Sequence, residues 1–148
     1  MAKSLLFGYD GPIAQALFTK HGWPPFAFDR AVGILDEQKA LVGVALWQNW
    51  NTANVDLSYY GSGTLTMGLV RALAKYAITE FDASRVTVLV MKKRKRYMKA
   101  VLKFGFKCEG VQRCYYGKQD NMRNTAVRLV LFREGIEKLA RMETEKAA

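Results

Sequence analysis

No apolar run in the 148-residue chain approaches the roughly 20 residues that a membrane-spanning helix needs, so a spanning segment is not expected. Met1-Ala2-Lys3-Ser4 leads into no hydrophobic stretch with a small-residue cleavage site, which makes a cytoplasmic protein the default expectation. Cysteine is scarce. Cys108 and Cys114 lack the CxxC spacing of zinc or redox motifs and are too few for a disulfide scaffold, so they read as reduced structural thiols. Histidine is scarcer still: His21 stands alone, which excludes histidine-rich metal sites and suits an interaction with a helix C-terminus. Carboxylates are the other shortage. Thirteen Asp and Glu face 23 Lys and Arg, a net charge of +10 that implies an anionic partner: cofactor phosphates, nucleic acid or an acidic protein.

Internal repeats and low-complexity linkers are also missing, and an apolar fraction of 50% is ordinary for a globular chain. One domain over 1–148 is expected. A first strand over 4–9 precedes Asp10-Gly11-Pro12, which reads as a helix start with a capping oxygen and an early proline; the helix runs to about His21 and Gly22 can end it. Trp23-Pro24-Pro25-Phe26 must then be extended. Strands over 30–35 and 41–47 are joined by the polar turn Asp36-Glu37-Gln38-Lys39 and read as antiparallel neighbours.

The centre of the chain is an alternating strand over 54–60, a glycine-bearing loop and an amphipathic helix over 67–81, with Val70, Leu73, Ala74, Ala77 and Phe81 on its apolar side. A strand opening through a flexible loop into a helix makes an anion site, because free backbone N–H groups and the positive helix end point together. A nearly continuous apolar strand over 85–90, covered on both faces, should run parallel to the one before it. The cation run Lys92-Lys93-Arg94-Lys95-Arg96 follows, and a helix over 96–104 ends at Gly105, a suitable left-handed terminator. Strands over 107–116 and 124–132 and a charged helix over 134–146 complete the chain.

Phe104-Gly105-Phe106-Lys107-Cys108-Glu109-Gly110-Val111-Gln112-Arg113 resembles the Gly-Phe-x-x-Glu-Gly-x-x-Arg stretch of the GNAT superfamily of acyl-CoA-dependent N-acetyltransferases, and the order of elements over about 30–132 is similar to that family's. The resemblance implies an α/β (α+β) fold: a mixed, largely antiparallel sheet with a central parallel strand pair and helices on both faces. It implies acetyl-CoA as cofactor, held by backbone near Leu57, Ser58 and Tyr59, with phosphates at Gly61, Ser62, Gly63, Thr64, Leu65 and Thr66 and at the helix start, Met67 and Gly68. The loop departs from the family's Arg/Gln-x-x-Gly-x-Gly/Ala pattern, but backbone N–H groups and the Thr hydroxyls can still bind phosphate. Arg94 stands where the family often has Asn, and Val101 where it often has the Tyr that protonates the departing thiolate. Tyr97, one turn earlier, is the candidate substitute and a further cofactor contact.

Asp56 is read either as a general base for the acceptor ammonium or as a solvated strand carboxylate. Tyr59–Tyr60 and Tyr115–Tyr116 each suggest one core ring and one facing solvent or a cleft, and Trp23, Phe26 and Trp50 read first as packing residues. The resulting expectation is an N-acetyltransferase acting by direct attack of a small-molecule or peptide amine. The alternatives are a basic, phage-type relative that binds or modifies nucleic acid through residues 92–96, and a CoA binder without catalysis. A bacterial or phage-infected cell and a homodimer are compatible with all three.

Overall fold

Seven segments pair into one sheet, the inner ones mostly rich in Val, Leu, Ile and Ala, in a computed structural model that describes residues 3–61 and 66–147. The strands are β1 (Ser4–Leu6), β2 (Arg30–Leu35), β3 (Leu41–Gln48), β4 (Asn54–Gly61), β5 (Arg85–Met91), β6 (Lys107–Gln112) and β7 (Ala126–Phe132). Their order across the sheet is β1-β2-β3-β4-β5-β7-β6, antiparallel throughout except for the central parallel pair β4–β5. The helices are α1 (Asp10–His21), α2 (Met67–Phe81), α3 (Lys95–Lys103) and α4 (Arg133–Ala147). This is the mixed sheet, with helices on both faces, that the order of elements implies. None of the described helices is long and apolar enough to cross a membrane.

Strand alternation divides the core in two. Val55 on β4, with Val86 and Val88 on β5 and Trp47 on β3, belongs to the larger cluster, under α2, α3 and α4. Ala31, Val44 and Leu46 face the other way and pack on Ile13, Leu17 and Phe18 of α1. In β5 the buried run Val86, Thr87, Val88 bears out a strand covered on both faces.

Local signals set most boundaries. Thr66 caps α2 by accepting a hydrogen bond from the Leu69 N–H at 3.2 Å, and Asp82 closes that helix in a left-handed conformation, φ 46°. Leu69 is fully buried on the α2 core side, where the periodicity picks Val70, which is only half-buried. Gly105 follows α3 at φ 100°, as a left-handed terminator must.

Several sequence expectations are corrected. The first strand stops at Leu6 because Gly8, at φ 82°, turns the chain into α1. Asp10 caps no helix; its Oδ2 accepts from the Ala31 N–H at 2.8 Å and so ties α1 to β2. The strand expected to reach Tyr116 ends at Gln112, since both tyrosine N–H groups bind the Asn124 carbonyl, at 2.8 and 3.2 Å, and residues 113–125 form a loop.

Candidate functional site

The parallel pair is short. β4 and β5 are in register only at Asn54↔Arg85, Val55↔Val86 and Asp56↔Thr87, although β4 continues to Gly61 and β5 to Met91. The closed end is pinned by Asn54, whose Oδ1 accepts from Thr87 Oγ1 at 2.6 Å and from Arg85 Nε at 3.2 Å, while Arg85 is paired with Glu109 of β6 at 2.5 Å. Beyond Asp56 the facing strand edges diverge, which leaves main-chain groups available to something inserted between them.

The wedge opens on both an inner cavity and an outer cleft. The inner cavity, of about 70 Å³, is apolar, with Leu57, Val88, Val101, Phe106 and Leu131 in its walls. The cleft, of about 1230 Å³, lies among α1, the ends of β3 and β4 and the start of α3. Tyr59, Tyr97 and Phe104 line both, and therefore form the partition between them.

Tyr59 holds its position because two glycines leave room for it. Gly43 and Gly61 are cross-strand partners, and a Cβ added to Gly61 would lie 2.9 Å from Tyr59 Oη and 3.0 Å from the Gly43 Cα. The Tyr59 hydroxyl is buried with no hydrogen-bond partner among the described residues, and burial pushes its pKa up. Tyr97 sits beside it on α3. Burial raises the Tyr97 pKa, the neighbouring Arg94 charge opposes that rise, and the Arg94 guanidinium stands 4.6 Å above the ring centre. Both phenols thus keep their protons at neutral pH.

The cleft is electrostatically one-sided. Lys20 of α1 and Lys93, Arg94, Lys95 and Arg96 before and within α3 line it, and no Asp or Glu is among its lining residues. Neither α2 nor α3 carries an acidic residue in its first turn. Such walls favour negative charge and depress the pKa of any ammonium brought between them.

The sequence-expected residues fall into separate groups. Tyr59, Gly61, Arg94 and Tyr97 meet at the cleft, and Leu57 faces the inner cavity. Ser58 is paired with Leu46 and shares the α1-facing side of β4. Thr66 is occupied as a cap, Met67 packs against the main core, and Gly68 borders a different groove beside Phe7 and Tyr76. Ser62, Gly63, Thr64 and Leu65 lie outside the described residues. Asp56 sits at the closed end of the wedge, is not among the described residues that line the cleft, and accepts from Asn49 Nδ2 and Asn54 Nδ2, both at 2.9 Å, so that it ties the β3–β4 turn to the start of β4.

Tyr60 is also at the cleft, against Trp23 at a ring separation of 5.5 Å, so both members of that doublet face it. Trp50 packs edge-on against Phe81 at 5.4 Å, and Phe26 against Phe18 at 4.7 Å, as packing residues would. Lys20, Phe104 as a wall of the site and the pairing of Gly61 with Gly43 are not marked as site features by the sequence. Gly43 within an apolar strand was the only signal for the last of these.

No family model matches the chain, and no curated protein sequence does. Solved structures do. Mutant forms of the spermidine/spermine N-acetyltransferase SpeG from Vibrio cholerae share the fold with a TM-score of 0.64 at 16% identity, covering 84% of this chain and 74% of that one. A point mutant of the same enzyme gives 0.65 at 14% identity over 87% and 76%, and its complex with manganese ions 0.60 at 15% over 88% and 76%. The chain shares the fold of these N-acetyltransferases at 14–16% sequence identity.

Proposed function

Starting from that fold, we propose that the chain is an acyl-CoA-dependent N-acyltransferase, with the β4–β5 wedge as its cofactor slot. The observation that carries this reading is the buried, unpartnered Tyr59 hydroxyl at the wedge, next to Tyr97 and beneath a mouth of cations. An orphaned donor inside a core costs about 1–3 kcal/mol, which a polar ligand would recover. Unpaired strand edges suit an amide-bearing arm, and the cations suit phosphates. In these respects the residues fit the cofactor.

The backbone of Leu57, Ser58 and Tyr59 would hold the arm of an acyl-CoA, and Gly61 and Arg94, which line the cleft, would attend its phosphates. When bound, the cofactor supplies an acyl group activated as a thioester. With such a cofactor in place, a backbone N–H of β4 would face the thioester carbonyl, the wedge walls would exclude water, and the Tyr97 hydroxyl would be the proton donor for the departing thiolate. No carboxylate is required to unmask the acceptor amine, because the cationic cleft itself shifts an ammonium toward its neutral, nucleophilic form.

The same charge bears on the acceptor. The fold neighbours are named for spermidine and spermine, which are polycations, whereas Lys20 and the cations of 93–96 would repel one. We assign the chain a single-amine acceptor whose remainder is neutral or anionic. Thermal unfolding with and without acetyl-CoA, followed by thiol release in the presence of amine panels, tests the reading. Stabilisation with thiol release is expected; no stabilisation at millimolar acetyl-CoA overturns it, and stabilisation without release on any amine leaves a CoA binder in place of an enzyme.

A further inference from the structure

Between Asp82 and Glu109 the sequence contains nine Lys and Arg and no carboxylate. Arg85 is consumed by its pair with Glu109, and the other eight are exposed. Only some of them line the cleft: Lys92, Lys99, Lys103 and Lys107 do not. Arg96, Lys99 and Lys103 recur at spacings of three and four residues, which puts them along one outer stripe of α3 with about one turn, ~5.4 Å, between levels, and Lys92 lies in the turn that precedes the helix. Opposite them, Tyr97, Val101 and Phe104 anchor the helix to the core. Among the described residues none of these four side chains makes a hydrogen bond, ion pair or ring contact, so the stripe is not a salt-bridged surface.

At the N-terminal end of the stripe the chain is stitched to the 113–125 loop. The Lys92 N–H donates to the Thr125 carbonyl at 2.8 Å, and the adjacent Asn124 carbonyl accepts from the N–H groups of Tyr115 and Tyr116. Cys114, at φ 55°, turns the backbone there. The two rings meet edge to face at 5.0 Å and stay 49% and 43% exposed, and Tyr116 is close enough to Arg94 to feel its charge. The carboxylates flanking this region are already neutralised, Asp120 by Arg113 and Glu109 by Arg85. Water-exposed aromatic rings joined to an uncompensated cation track are a costly arrangement for a bland surface.

We propose that the outer face of α3 and the Tyr115–Tyr116 loop bind single-stranded nucleic acid. The lysine stripe follows the phosphates and the tyrosines stack on unpaired bases, the combination by which strands are held without sequence preference. A duplex hides its base faces, and acidic proteins or anionic lipid surfaces would use the lysines but not the rings. The surface adjoins the rim of the cleft, through Arg96 and through Tyr116 beside Tyr60 and Arg94, but Lys99, Lys103 and Tyr115 lie outside the cleft lining and its function does not depend on the acyltransferase reading.

Fluorescence anisotropy with a labelled oligothymidylate tests this. Binding at low salt is expected, with log K falling linearly in log salt at a slope of roughly −0.7 per phosphate contacted. The double variant Lys99→Ala/Lys103→Ala should reduce that slope by about 1.4, roughly 0.7 for each lost contact. Tyr115→Ala/Tyr116→Ala should weaken binding at least about tenfold, and the corresponding Phe variants should restore it, which a mere folding defect would not allow. No binding at low salt overturns the proposal. So does equal affinity for duplex, or binding to anionic vesicles and heparin that is indifferent to the tyrosines. The acetyl-CoA thermal shift of each variant should match the parent, so the two readings can fail independently.

Discussion

The guanidinium of Arg94 stands 4.6 Å above the ring of Tyr97 at the seam between the basic cleft and the apolar cavity. Burial lifts the Tyr97 pKa and this cation pulls it partly back. A proton donor works only below its pKa, so activity should fall on the alkaline side as Tyr97 ionises. Removing the cation with Arg94→Ala lets the pKa rise further and should move that limb to higher pH. Tyr97→Phe should lower the maximal rate by about a hundredfold while acetyl-CoA still stabilises the fold. An unmoved alkaline limb in Arg94→Ala, or a Phe variant with full activity, would assign the proton to another group.

Tyr59 gives a prediction of opposite sign for stability and binding. Its hydroxyl is buried without a partner above the Gly43–Gly61 pair. Tyr59→Phe removes that donor and retains the ring, so the unliganded protein should become more stable by about 1 kcal/mol, read as a rise in Tm, while the acetyl-CoA shift shrinks. A lower Tm in Tyr59→Phe would mean that the hydroxyl has a partner after all.

Gly61→Ala tests the same platform from below. The new Cβ would meet Tyr59 Oη at 2.9 Å and the Gly43 Cα and Val42 carbonyl at 3.0 Å, two of them backbone atoms that cannot swing aside. Overpacking of this kind costs about 1–3 kcal/mol. Chemical denaturation should show that loss, together with weaker acetyl-CoA stabilisation because Tyr59 is displaced toward the wedge.

How far the sequence carries depends on how local the deciding forces are. The bounds of β2 and α2 follow from apolar periodicity and caps such as Thr66, all within a few residues, and they agree with the structure. Arg94 and Tyr97 were singled out through the resemblance around Phe104-Gly105-Phe106, which fixes the helix start that presents them. The two readings of Asp56 stay open in the sequence because its surroundings depend on where the β4–β5 pairing stops, and no feature of either strand alone announces that. Residues 113–116 carry strand-like aromatics, yet Asn124 from beyond the turn captures their N–H groups and makes a loop. The contact of Tyr59 with Gly43 is a matter of register between strands, equally invisible until they are paired.

Asn54 should be the most sensitive polar position of the wedge. Its Oδ1 accepts from Thr87 Oγ1 and Arg85 Nε, and its Nδ2 donates to Asp56, so one side chain joins the closed ends of β4 and β5. Thr87 is only 1% exposed and its hydroxyl proton would be left without an acceptor in Asn54→Ala, the oxygen keeping only the 3.4 Å contact from Arg85 Nη2. Denaturant unfolding should show a loss of about 1–3 kcal/mol. Thr87→Val in the Asn54→Ala background should return part of it, because replacing both partners removes the unsatisfied group. A double variant no better than the single one would mean that Asn54 acts through Arg85 or Asp56 instead.

Alkaline unfolding should trace to Tyr76. Burial first, then the nearby carboxylates of Glu80 and Asp10, push its phenol from an ordinary 10.0 up to about 12, although Arg30 pulls the other way. Below pH 10.0 the group is protonated in folded and unfolded chains alike and contributes no pH dependence. Above it the unfolded chain releases the proton while the folded one retains it, so the unfolded state binds fewer protons and stability falls as pH rises, until the folded phenol ionises near 12. Tyr76→Phe cannot ionise. Its Tm should decline less steeply than the parent's between pH 10 and 12, while the stacked contact with Phe7 at 5.2 Å and the packing on Trp47 at 5.6 Å are retained. Parallel Tm curves for the two proteins across that interval would show that Tyr76 is freely solvated when folded, and the alkaline loss would then belong to Tyr59 or Tyr97, whose pKa values burial also raises.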